Sequence, residues 1–267
     1  MALRLVNLQS EVTAPFLAAV ANCLTRHAGI PVDFVNHGDW IERREALLQG
    51  EADLALWCGL PYALEADRAE PRVALVATPV MAAERYEGAP VYFSDVVVKR
   101  QARWRHFVEL EGASWAYNEP SSHSGYWLTR YELARRKLPS PFFGRVLEAG
   151  SHMAAIELVR RGVVDASAID SSVLELARAA DPALAMELRV LEAWGPSPAP
   201  PLVASTRLPA GQLQRLTQAL LGMHASADGR AALAVGQVAR FAAVTDADYD
   251  RLRRMAAIGA GAHLIEA

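Results

Sequence analysis

The chain alternates between two hydrophobic rhythms almost from end to end. Short runs that are apolar throughout, or apolar at every second position, predict strands at residues 3–8, 30–35, 52–57, 73–78, 91–99, 113–117, 145–150 and 164–169. Between them a 3.6-residue period predicts helices over 13–28, 39–49, 125–137, 152–161 and 172–178, with Gly29 and Gly50 placed as stops for the first two. From Pro209 onward the pattern is mostly helical, interrupted at Gly236 and over 241–245, and the charged run 246–254 predicts a solvated helix face. Strand and helix in regular alternation predict an α/β fold with mostly parallel sheets covered by helices on both faces.

Two stretches break this rhythm. "GAPVYFSDVVVKR" is an unusually long extended run, and "EAWGPSPAPPLVAST" holds four of the chain's 15 prolines before a further extended run. Proline cannot donate to a sheet ladder, so the second stretch predicts a connector and not a paired strand. If both runs cross between lobes, residues 1–88 and 195–267 form lobe 1, residues 89–194 form lobe 2, and a ligand cleft lies between them.

Composition narrows the function classes. At 267 residues, 52% hydrophobic and 21% charged, the chain can bury a substantial core, and its net charge of −3 excludes the basic excess of a nucleic-acid binder. The start "MALRLVNLQSE" runs straight into a strand pattern without a basic segment followed by an apolar one, so no export signal is expected in this chain. That expectation leaves location open: periplasmic or lipid-anchored if a leader was removed, cytoplasmic if Met1 is native. No segment approaches the ~18 consecutive apolar residues of a membrane span, so a soluble chain without membrane insertion is expected. Cys23 and Cys58 are too few for a disulfide framework and do not stand in a metal-ligand spacing. Cys23 falls on the apolar side of its helix with Phe16, Val20 and Leu24, which predicts a buried small hydrophobe. No cofactor and no metal are expected.

The candidate chemistry sits in "NEPSSHSGYW". Pro120 forbids helix before it and helical periodicity begins at Gly125, so Ser121, Ser122, His123 and Ser124 stand at a helix N-terminus. Such a terminus offers unpartnered N–H groups and a positive dipole end, and the hydroxyls add more donors than a single cap uses. A small anionic ligand fits that supply. "EAGSHMAAIELV" repeats the arrangement, placing Gly150, Ser151 and His152 after a strand and before a helix. Trp57, Cys58 and Tyr62 follow a lobe 1 strand and are candidates for the cleft edge. Asp170 ends a lobe 2 strand, where it can accept from a ligand, orient His152, or cap the next helix.

These blocks, "VYFSDVVVKR", "LEGASWAYNEPSSHSGYWLTRYEL", "LEAGSHMAAIELVRRGVVDASAIDSSVLE" and "PPLVAST", taken in order, resemble the phosphate-, phosphite- and phosphonate-binding proteins of ABC importers, within the type II periplasmic binding protein superfamily. The resemblance covers most of the chain. It implies two lobes joined by two extended crossover segments and hinged closure around a small oxyanion, with an ABC permease as partner if the chain is exported. A Ser-Thr-Ser-Gly turn that grips the anion in that family matches Ser122, His123, Ser124 and Gly125, and its Gly-(Ser or Ala)-His matches Gly150, Ser151 and His152. Tyr92 matches a tyrosine of the first crossover strand, and Trp40 stands where the family usually has Tyr. His123 replaces the turn's central threonine by a larger group that can carry charge, which bears on ligand choice. No catalytic residue is expected. The alternative is an intracellular enzyme or ligand sensor on the same scaffold, using Cys58, His123, His152 and Asp170 on another small molecule.

Overall fold

The computed structural model describes residues 2–264. In chain order the elements begin with β1 (Leu3–Asn7), α1 (Ala14–Ala28), β2 (Val32–Val35), α2 (Trp40–Gln49), β3 (Leu54–Leu56), α3 (Gly59–Ala66) and β4 (Val73–Met81). The middle holds β5 (Val91–Lys99), β6 (Ser114–Tyr117), α4 (Leu128–Arg135), β7 (Arg145–Glu148), α5 (His152–Arg161), β8 (Ala166–Asp170), α6 (Ser171–Ala180), α7 (Ala183–Glu187) and β9 (Leu188–Pro198). The last part adds β10 (Leu202–Ser205), α8 (Ala210–Gly222), α9 (Ala227–Val235), β11 (Val238–Ala242) and α10 (Asp250–Gly259). Two compact units result: one takes the residues up to Val91 together with Pro198–Asp250, the other Tyr92–Ser197 and the residues from Arg251 on.

In the first unit the strand order is β11-β4-β10-β3-β1-β2. β1 runs parallel to β2 and β3, whereas β10 is antiparallel to β3 and β4, and β11 is antiparallel to β4. The sheet is therefore mixed, which corrects the expectation of mostly parallel pairing. β10 and β11 come from the C-terminal half, so they enter without the helical crossovers that parallel neighbours need. α1 begins with Pro15 in its first turn, buries Phe16, Leu17, Val20 and Leu24 at helical spacing, and ends at Gly29 with φ 62°. Phe16 stacks on Phe241 of β11 at 6.2 Å. α2 starts in a reciprocal cap between Asp39 and Glu42, which satisfies two end donors at once.

In the second unit the order is β7-β6-β8-β5-β9, with β6 parallel to β7 and β8 and β5 antiparallel to β8. This sheet too is mixed. Its core is aromatic: Trp115 of β6 stacks on Phe143 at 4.6 Å, and Phe107 meets Trp194 of β9 edge-on at 4.8 Å. The proline-rich stretch expected as a connector belongs partly to β9, which pairs with β5 as an edge strand. An edge leaves one side of the backbone unpaired, so the missing N–H groups of Pro196 and Pro198 cost little there.

The tail differs from expectation as well. It was assigned whole to the first lobe, yet from Arg251 on it packs with the second unit. The Arg130 guanidinium donates to the carbonyls of Ala260 (3.1 Å) and Ala262 (2.6 Å), just past the end of α10, and lies 4.5 Å from the Trp127 ring centroid. Gly259 lets the backbones meet, since a Cβ there would lie 3.0 Å from the Tyr131 nitrogen. Replacing Arg130 by Ala should therefore loosen α10 by roughly 2–3 kcal/mol, the scale of charge-assisted hydrogen bonds. Hydrogen exchange checks this: α10 amides should exchange about 30- to 160-fold faster while those of α1 keep their rates.

Candidate functional site

The site begins where β6 runs out. After Asn118 and Pro120 the Ser122 hydroxyl accepts from the Gly125 N–H at 3.2 Å, and the chain then winds through one wide turn over His123–Trp127 before α4. In that turn the N–H of Trp127 donates to the Ser122 carbonyl (3.0 Å) and that of Leu128 to the His123 carbonyl. The five-residue spacing is a π-type turn, an arrangement common at functional sites because it displaces side chains from the regular helical positions. Gly125 is required by close approach: a Cβ would stand 2.0 Å from Asn118 Oδ1.

Two elements converge on the turn. From β5, the Ser94 hydroxyl donates to the Ser124 carbonyl (2.8 Å), and the Tyr92 hydroxyl lies 2.9 Å from His123 Nδ1. From the start of α5, His152 Nε2 lies 2.9 Å from Ser124 Oγ, while Ser151 caps its helix by accepting from the Ala154 N–H. The two helix starts singled out in the sequence are thus tied together by one hydrogen bond. All of Tyr92, Ser122, His123, Ser124 and His152 are buried.

Each imidazole keeps one nitrogen in reserve. His123 Nε2, His152 Nδ1 and Asn118 Oδ1 are buried and have no hydrogen-bond partner among the described residues. A buried polar atom without a partner costs about 1–3 kcal/mol, so three in one cluster are retained against a stability cost. Both rings are neutral. Burial lowers the pKa of His123 to about 3, with the positive charge of Arg251 adding to it, and burial lowers that of His152 to about 4. A neutral imidazole has one N–H and one lone pair, and a hydroxyl can serve either. If Tyr92 donates to Nδ1 of His123, and Ser124 to Nε2 of His152, both reserve nitrogens carry protons and act as donors.

Asp170 takes the capping role. Its carboxylate accepts from the Ser172 N–H (2.8 Å) and hydroxyl (2.6 Å), and burial raises its pKa to about 6. It does not orient His152, whose Nδ1 is unpartnered. Ser121 is half-buried, and its N–H is already given to the Glu119 carboxylate at 2.6 Å.

The remaining candidates belong to the first unit. Trp57 is buried just after β3 and donates its backbone N–H to Pro201, while Cys58, half-buried, precedes α3. Tyr62 on α3 is buried, its hydroxyl donating to Asp246 (2.9 Å) and its ring edge-on to Tyr249 at 5.0 Å. Trp40 opens α2 with the Arg44 guanidinium 5.4 Å from its ring centroid.

Three residues escaped the sequence reading. Ser94 carried a usable signal, since it lies two positions after Tyr92 in one strand and so shares its face. Asn118 sat inside the quoted motif without being picked out. Arg251 had no local signal, because its effect on His123 depends on where α10 docks.

A family model described as "ABC transporter, phosphonate, periplasmic substrate-binding protein" matches residues 7–249, which include both helix starts and every candidate above. The chain belongs to this family. Its members are substrate-binding proteins and not enzymes, so the enzymatic alternative falls away. No curated protein matches this substrate-binding protein by sequence. Among solved structures, a binding-protein component of an ABC phosphonate transporter from Pseudomonas aeruginosa is similar at 20% identity and a TM-score of 0.82, over 97% of this chain and 86% of that one. PhnD1 from Prochlorococcus marinus, solved with methylphosphonate, is similar at 17% identity and a TM-score of 0.82, over 95% and 96% of the two chains. The aliphatic sulphonate binding protein SsuA from Escherichia coli follows at 18% identity and 0.63, over 96% and 86%. At these identities the likeness is one of fold, the two-lobed α/β architecture of type II periplasmic binding proteins.

Proposed function

We propose that this substrate-binding protein holds a small phosphonate-like oxyanion at the Ser122–Gly125 turn and the start of α5, and delivers it to an ABC permease. The observation that carries the reading is the pair of buried imidazole nitrogens without partners, His123 Nε2 and His152 Nδ1, beside the Ser122 and Ser124 hydroxyls. Such atoms are satisfied when an acceptor-rich anion arrives. Two helix starts add N–H donors and positive dipole ends, and low local polarity strengthens each hydrogen bond to the charged ligand. The family's description and the methylphosphonate bound to PhnD1 support the phosphonate class.

Calorimetric titration with methylphosphonate, phosphite and phosphate tests it. At least one should bind with one-to-one stoichiometry, and three titrations without saturable heat would overturn the reading. His123→Thr, which restores a hydroxyl in place of the ring, should keep the fold and raise affinity for a simple phosphonate or phosphite relative to the parent's preferred anion. An unchanged order of preference would show that His123 takes no part in selection.

A further inference from the structure

We propose that Cys23 and His27 of α1, with Asp228 of α9, form a binding site for a borderline-soft divalent cation such as Zn2+ in the first unit, separate from the anion site. Cys23 and His27 are four residues apart and so share one face of α1, and α9 packs against that helix. Asp228, in the first turn of α9, comes from 201 residues further along the chain, yet His27 Nε2 lies 2.9 and 3.2 Å from its two carboxylate oxygens. One ligand atom from each residue, the Cys23 sulfur included, lies within 4.8 Å of the others.

The donor set determines the class of ion. Thiolate, imidazole and carboxylate together suit Zn2+ or Co2+, whereas Mg2+ and Ca2+ take oxygen donors. Bonds of about 2.0–2.3 Å in a tetrahedral site separate the ligand atoms by roughly 3.3–3.8 Å, so a modest closure is needed. His27 and Asp228 can supply it, being 39% and 42% exposed, while the buried Cys23 stays fixed. Water from the exposed side would complete the fourth position. Binding releases the Cys23 thiol proton to water and uses the lone pair of an unprotonated His27 Nε2, so affinity falls as pH falls. Arg26, whose Nε lies 3.1 Å from Asp228 Oδ2, competes for the same carboxylate.

The test uses the reduced full chain titrated with Co2+, read by the thiolate-to-cobalt charge-transfer band and followed by displacement with Zn2+. One equivalent should produce the band, and Cys58→Ser should keep it. His27→Gln at an exposed position and Asp228→Asn at a half-buried one, each close in size to the residue it replaces, should each weaken binding more than about tenfold, since even indirect partners of a metal ligand contribute that much. Cys23→Ser should abolish the band, and Arg26→Gln should tighten binding by freeing Asp228. The proposal is overturned if the parent gives no band, if the band survives Cys23→Ser, or if His27→Gln and Asp228→Asn bind as the parent does.

Discussion

Replacing Ser122 and Ser124 together by Ala will weaken binding of the anion by about 3–6 kcal/mol, since each hydrogen bond to a charged group contributes roughly 1.5–3 kcal/mol. That is a loss of about 150-fold to 25,000-fold in affinity. Two effects add up in the variant. The ligand loses the Ser122 hydroxyl donor, and His152 loses the Ser124 hydroxyl that donates to its Nε2 at 2.9 Å and so keeps the Nδ1 proton available to the ligand. Ser122 also accepts from the Gly125 N–H, so its removal costs the turn about 1 kcal/mol of cap stability without touching the ligand. Calorimetry on the anion that the parent prefers separates the two contributions, because circular dichroism reports the cap and the heat reports the anion. A double variant that binds as tightly as the parent would leave both serines as helix caps and nothing more.

Acid will destabilise the second unit by about 2–3 kcal/mol between pH 7 and pH 5. His123 and His152 have folded pKa values near 3 and 4, below the ordinary value of about 6.5, so the unfolded chain binds more protons than the folded one across this interval. Each ring therefore removes stability as pH falls below about 6.5, at up to about 1.4 kcal/mol per pH unit. Asp170 acts in the opposite sense. Its folded pKa, near 6, is raised, so the folded state takes up a proton first and gains stability as pH falls through 6. Two losses against one gain leave a net loss. Glu192, held below the ordinary carboxylate range by its bonds with Arg136 against its burial, loses its contribution only at lower pH and does not enter this window. Urea titrations read by hydrogen exchange in β6 and β8 should show the midpoint falling from pH 7 to pH 5, and His123→Thr should remove about half of the histidine part. Equal midpoints at both pH values would mean that the two rings are not held neutral by burial.

Local signals carried the sequence reading where they were strong. α5 was legible at both ends, because Ser151 caps its start and Gly162 follows its last turn with φ 73°. The two helix starts were recognised for the same reason, being written in consecutive residues. What escaped depends on distant partners. β9 was misread because proline's missing N–H matters only if the strand has neighbours on both sides, and whether it does is set by sheet order. The tail was misassigned because the passage between units at Asp250 leaves no mark in composition, while the contacts that hold α10 come from Arg130, about 130 residues earlier. The pairing of Tyr92 with His123 spans 31 residues and that of Ser124 with His152 spans 28, so the neutrality of both rings was out of reach. Cys23, expected as a buried small hydrophobe from its helical spacing, is fully buried, whereas the approach of Asp228 to His27 was out of reach because 201 residues separate them.

The central claim is that an anion of the phosphonate class is held by the buried imidazoles as well as by the serines. Nitrogen NMR of the histidine rings tests this most directly, with methylphosphonate added to the full chain at pH 7. The account predicts that His123 Nε2 and His152 Nδ1 shift on saturation, in the sense of stronger N–H donation, while both rings remain neutral and the other histidines stay in place. Saturation by methylphosphonate with both of those nitrogens unmoved would contradict it.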